Sequence, residues 1–150
     1  MKRLMTSFRL LTSTFAMSLA MVPAWAQSAP AAASAPALSL ELNAAQPSEK
    51  GCRLTFVVNN ALGADLSKAA FEIALFNEAG VVDRLTVLDF KNLPAGKTKV
   101  TRFDLSGADC GKLSRVLINS ATECAGSGVD PAACMRALKT STRTAIAFGV

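Results

Sequence analysis

The chain has 150 residues, of which 51% are apolar and 6% aromatic, and a formal charge of +5. That length suits one domain, and that much apolar surface excludes a wholly disordered polar chain. His is absent, which removes the usual general base and the commonest metal ligand.

Met1 to Ala26 reads as a cleaved secretory signal. Lys2, Arg3 and Arg9 form its positive start, Leu10 to Val22 its apolar stretch, and Ala24-Trp25-Ala26 a small-x-small site ahead of Gln27. The apolar stretch is about 13 residues, short of the roughly 20 that a spanning helix needs. No twin Arg is present and the first Cys is Cys52, so the segment reads as a general export signal without a lipid anchor. Three of the 16 basic residues lie in it and all 11 acids follow it, which leaves a mature charge of +2. The basic balance that would suit nucleic acid is thus largely a property of the signal. The expected location is the bacterial periplasm, with secretion as the variant.

Gln27 to Ala37 contains only Ala, Ser, Pro and one Gln, a composition that cannot bury enough surface to order itself. It is expected to be a disordered tether ahead of a domain at 38–150. Leu38, Leu40 and Leu42 alternate with polar neighbours, as do Leu54, Phe56 and Val58, the period of half-buried strands. Asn59-Asn60 and Gly63-Ala64-Asp65 read as turns. Ala70 to Asn77 is a third strand on the strength of Phe71, Ile73 and Phe76, although Ser67 to Ala74 also carries helix-favouring residues. Glu78-Ala79-Gly80 turns the chain into Val81 to Phe90, and Pro94-Ala95-Gly96 into Lys97 to Leu105. Leu113 to Ser120 and Thr142 to Val150 complete seven strands. Asp130-Pro131 is a helix start, and a short helix through Lys139 would put Met135 and Leu138 on one face. The pattern predicts an all-β fold: an immunoglobulin-like antiparallel β-sandwich of about seven strands with one short C-terminal helix.

Four cysteines, Cys52, Cys110, Cys124 and Cys134, follow the signal. An even count in an exported chain reads as two disulfides. In an up-and-down strand order Cys52 and Cys110 lie at one end of the sandwich, and Cys124 and Cys134 at the other. A strand of about eight residues spans roughly 26 Å, whereas bridged Cα atoms lie within about 7 Å. The compatible pairing is Cys52 with Cys110 and Cys124 with Cys134.

Other chemistry is sparse. Lys97, Lys99 and Arg102 fall close together on one strand and with Lys91 could form a strip for an anionic partner; the plainer reading is a solvated face or a protected edge strand. Asp83, Asp89, Asp104 and Asp109 are the candidate carboxylates, with nothing in the sequence to place two of them in one cleft. Ser67-Lys68 and Ser48-Glu49-Lys50 are the close Ser–Lys pairs, without the Ser-x-x-Lys spacing. No CxxC pair exists, and Met135 alone offers a thioether to a metal. Thr142 to Val150 either offers an edge to a partner strand or completes the core through Ile146 and Phe148.

With these segments placed, Val57-Val58-Asn59-Asn60, Ile73-Ala74-Leu75-Phe76-Asn77, Gly80-Val81-Val82, Leu93-Pro94-Ala95-Gly96-Lys97 and Phe103 resemble the FxLYD-type immunoglobulin-like domains of bacterial exported proteins. Ile73, Phe76 and Asn77 stand where that family has Phe, Tyr and Asp. Over the whole mature chain, Gly51-Cys52-Arg53-Leu54, Phe103-Asp104-Leu105 and Arg115-Val116-Leu117-Ile118-Asn119 are similar to uncharacterised proteobacterial exported proteins, a group often labelled Tat-signal proteins. The resemblance implies a sandwich and no catalytic residue. The expected function is a non-catalytic periplasmic interaction module that binds another envelope protein by a sheet face or edge. No cofactor, nucleic acid or membrane span after cleavage is expected. The alternatives are a carrier of a small ligand or metal, and a carboxylate-based enzyme.

Overall fold

The computed structural model describes residues 35–150. The expected signal at 1–26 lies outside the described residues, as does the tether up to residue 34. Strand pairing begins at Ala37, which faces Ala61. Eight strands follow: β1 (Ala37–Ser48), β2 (Gly51–Ala61), β3 (Leu66–Asn77), β4 (Val82–Leu93), β5 (Thr98–Ser106), β6 (Leu113–Ala125), β7 (Leu138–Thr142) and β8 (Ala147–Gly149). A 3-10 turn (Cys110–Lys112) precedes β6, and a single helical turn, α1 (Ala133–Arg136), precedes β7.

The strands form two four-stranded sheets. Sheet A runs β5-β2-β1-β7 and sheet B runs β4-β3-β6-β8. Alternation decides which side chains meet between them. Leu38, Leu40 and Leu42 of β1 and Leu54, Phe56 and Val58 of β2 are buried against Phe71, Ile73 and Leu75 of β3, Leu88 and Phe90 of β4, and Val116 and Ile118 of β6. Phe90 is the hub of the core. Its ring lies 5.6 Å from Phe56, 5.9 Å from Phe71 and 5.0 Å from Phe103, each edge to face. Each such ring contributes about 1.5–3 kcal/mol through burial alone, and edge contacts add about 0.5–1.5 kcal/mol each.

Both disulfides have the connectivity expected from strand order. Cys52–Cys110 ties β2 to the 3-10 turn across a separation of 58 residues, and Cys124–Cys134 ties β6 to α1 across 10. Gly51 opens β2 with φ of 143° where the chain passes the end of β5. A Cβ there would overlap the Leu105 carbonyl oxygen, so only glycine fits.

Four sequence expectations change. The sandwich is not wholly antiparallel, because β7 runs parallel to β1 and β8 parallel to β6. The final strand expected at Thr142 to Val150 is divided between the sheets. Thr142 ends β7, the chain crosses at residues 143–146, and β8 joins sheet B. Hydroxyls make that crossing: the Thr144 N–H donates to Thr142 Oγ1 at 3.1 Å, and the Ile146 N–H to Thr144 Oγ1 at 3.1 Å. These side-chain bonds replace the ladder bonds that a continuing strand would make. The helix is one turn rather than a run to Lys139, since Leu138 and Lys139 pair with Leu38 and Ser39 of β1. Asn59-Asn60 is not a turn but the end of β2, and Asn60 is wholly buried. Its Nδ2 donates to the carbonyls of Ala64 (2.9 Å) and Leu93 (2.8 Å), and its Oδ1 accepts from the Leu62 N–H (3.0 Å). One side chain thus pins the β2–β3 connection to the end of β4.

Candidate functional site

The four cations expected as a strip do not form one. Side chains alternate along β5, so Lys99 turns inward, half-buried, while Arg102 faces solvent on the other side. Lys99 Nζ reaches β4 and donates to the carbonyls of Phe90 (2.9 Å) and Asn92 (3.0 Å). Lys97 is exposed in the turn ahead of β5. Lys91 adopts φ of 61° at an irregularity in the β3–β4 register, and its ammonium lies 2.6 Å from Asp89.

The candidate carboxylates are likewise apart, each beside its own cation. Asp104 takes two bonds from Arg53 (2.9 and 3.1 Å), Asp83 one from Arg84 (2.9 Å) and Asp89 two from Lys91, from its backbone N–H (2.9 Å) and its ammonium (2.6 Å). Asp109 accepts from the Gly111 N–H at the 3-10 turn. The bond from Arg53 holds the Asp104 carboxyl below its ordinary range, and the bond from Lys91 does the same for Asp89. An open depression of about 620 Å³ at the β1–β2 hairpin brings Glu49 and Asp104 to one surface with Lys50 and Arg53. Asp104, held ionised there, lacks the raised pKa that a general acid needs at neutral pH.

Ser67 Oγ donates to the Ala125 carbonyl, whereas Lys68 Nζ pairs with Glu123 at 2.7 Å, so these neighbours do not act together. Among the described residues no three His, Cys, Asp or Glu side chains gather as a metal site requires. Met135 packs, partly buried, against the core.

What the fold does present is an apolar sheet face. The outward row Val82–Phe76–Arg115–Ala147 crosses all four strands of sheet B. Beside it runs Leu85–Ala74–Leu117–Gly149, and then Val87–Glu72–Ser120. Leu85 is 56% exposed, Val87 51% and Val82 49%. The Arg115 guanidinium stacks over the Phe76 ring at 5.6 Å, and Asn119 Nδ2 donates to Glu72 at 2.6 Å. Among the described residues, Phe76 is the one phenylalanine that lies outside the core and the residues packed on it. The outer face of sheet A is more polar: Glu41, Arg53, Arg102, Asp104 and Lys139 lie on it, with Val57 and Val100 as an adjacent apolar pair. Sequence reading missed this surface, although a signal existed. From Val81 to Phe90 apolar residues occupy both parities, the mark of a strand meant to be covered on both faces.

The edge of β4 is engaged at its C-terminal end. Lys99 caps two of its carbonyls, Arg84 Nη1 bonds the Ser106 carbonyl of β5 at 2.7 Å, and Lys91 bends its end. Such devices keep edges from pairing. The C-terminal run contributes to the core, with Ile146 buried and Phe148 5.5 Å from Phe56, while β7 and β8 each form an edge of their sheet.

No family model matches the chain, and no curated protein does. Among solved structures, the Salmonella enterica trimeric lipoprotein SadB is similar over 47% of this chain, at 18% identity and a TM-score of 0.41. The match spans 40% of that protein's own chain, and a likeness at this level carries no functional argument.

Proposed function

We propose that this chain is a non-catalytic interaction module of the bacterial periplasm, and that it holds another envelope protein through the outer face of sheet B. The observation that carries the reading is the half-exposed row of Val82, Leu85 and Val87, contiguous with Phe76 and Leu117. Apolar side chains so gathered mark contact surfaces in soluble domains. Two disulfides support an oxidising, extracytoplasmic compartment, and the signal reading narrows this to export with cleavage ahead of Gln27. Membership of the exported group that the sequence resembles belongs to the same proposal.

A photo-crosslinking residue at position 85, compared with one at position 139 on sheet A, tests it in cells. Adducts are expected from position 85 alone. Equal labelling from both faces, or none from either, overturns the reading. N-terminal sequencing of the exported protein tests the cleavage point.

A further inference from the structure

The outer face of sheet B has a charge pattern that matches itself. We propose that the partner seated on this face is a second copy of the same chain, packed face to face about a twofold axis. The inference rests on this face being the contact surface proposed above, and it names the envelope protein held there as this chain itself. Let the axis run across the strands along the Leu85–Ala74–Leu117 row. Rotation then keeps each strand over its own counterpart and exchanges the rows on either side. Leu85 meets Leu85 of the other copy, and Val82 meets Val87. On β6, Arg115 of one copy comes over the corner where Asn119 holds the Glu72 carboxylate of the other. Both charges occur twice, so two ion pairs flank an apolar centre.

Within one copy these two groups have other neighbours. Arg115 stacks on Phe76, and Glu72 accepts from Asn119. Face-to-face sheets pack with their strands within about 30° of alignment, which this axis permits. Asp89 and the Lys68–Glu123 pair lie beyond the apolar rows and form a polar rim. The three rows cover about 19 Å by about 17 Å, from strand spacings of about 4.8 Å and a rise of about 3.4 Å per residue. That footprint is well below the roughly 800 Å² per partner of a standard complex. The pair is therefore weak and dependent on concentration.

Sedimentation equilibrium of the exported, purified protein from micromolar to near-millimolar concentration tests this. The mean mass of the wild type is expected to rise toward twice that of one chain, while Leu85→Asp stays monomeric. Arg115→Glu sets a second carboxylate against Glu72 of the other copy. Glu72→Arg sets a second guanidinium against Arg115 of the other copy. Each variant alone therefore stays monomeric. Mixed together they restore opposite charges at both contacts, and the dimer returns. That recovery also shows that both variants fold. A wild type that stays monomeric throughout, or a mixture that does not recover, overturns the proposal. A monomeric wild type that still crosslinks a different protein from position 85 removes the second copy but leaves the contact surface standing. A monomeric wild type with no adduct specific to position 85 removes both.

Discussion

Replacing Asn60 by Asp changes one atom group in a side chain that is 0% exposed. The native amide donates to two carbonyls, Ala64 and Leu93, and accepts from the Leu62 N–H. A neutral Asp keeps the acceptor but has one O–H for two carbonyls, a loss of about 1 kcal/mol. An ionised Asp has no donor and faces both carbonyl oxygens in a dry site, so the folded state retains the proton. The unfolded chain gives it up above pH of about 3.9. The folded pKa is thus raised, and this contribution to stability is present below the unfolded value and falls away as pH rises. Each pH unit costs about 1.4 kcal/mol, so the variant is destabilised by about 5 kcal/mol near neutrality against about 1 kcal/mol near pH 3. Urea unfolding of variant and wild type at several pH values reads the difference directly. A destabilisation that is constant with pH would refute the hydrogen-bonding scheme assigned to Asn60.

Three further outcomes follow from the geometry. Removing Cys52–Cys110 as a double Ala variant is expected to cost about 4 kcal/mol and removing Cys124–Cys134 about 3 kcal/mol, because the first closes the longer loop; denaturant midpoints in the reverse order contradict this. Lys99→Met keeps the stem but removes the donor to the part-buried Phe90 carbonyl and the exposed Asn92 carbonyl, for about 1 kcal/mol, whereas Lys97→Met stays within about 0.5 kcal/mol. The Asp104 carboxyl is depressed chiefly by the Arg53 hydrogen bond. Its contribution is therefore complete above the unfolded pKa of about 3.9 and is lost as pH falls through the lower folded value. Arg53→Gln is expected to flatten that acid limb and raise the Asp104 titration midpoint seen by NMR.

Alternation made the core legible, since Leu38, Leu40, Phe56, Phe71 and Ile73 lie where their period puts them. Strand order then paired the cysteines. Period-2 reasoning also contained the refutation of the cationic strip: positions 99 and 102 differ in parity, so Lys99 and Arg102 leave the strand on opposite faces. What the sequence could not express is partnership at a distance. Nothing in Leu138 to Thr142 says that it lies parallel to β1, and nothing in Ala147 to Gly149 that it joins the other sheet. Asn60 read as a turn because asparagine is common there; its buried role depends on carbonyls supplied by residues 64 and 93. The outer face of sheet B was visible only as apolar residues of both parities in β4.

The division of the last strand has a kinetic consequence. Leu42 and Thr142 lie 100 residues apart in sequence yet meet at the edge of sheet A. The β1–β2 and β3–β4 hairpins close from local contacts, and Cys124 can find Cys134 within a short loop. The β1–β7 edge closes only after the loop entropy of nearly the whole domain has been overcome. Throughout that interval β1 keeps one flank unpaired. Until residues 138–142 arrive, β1 is an edge strand, so the C-terminal segment that completes sheet A also covers the open flank of its first strand.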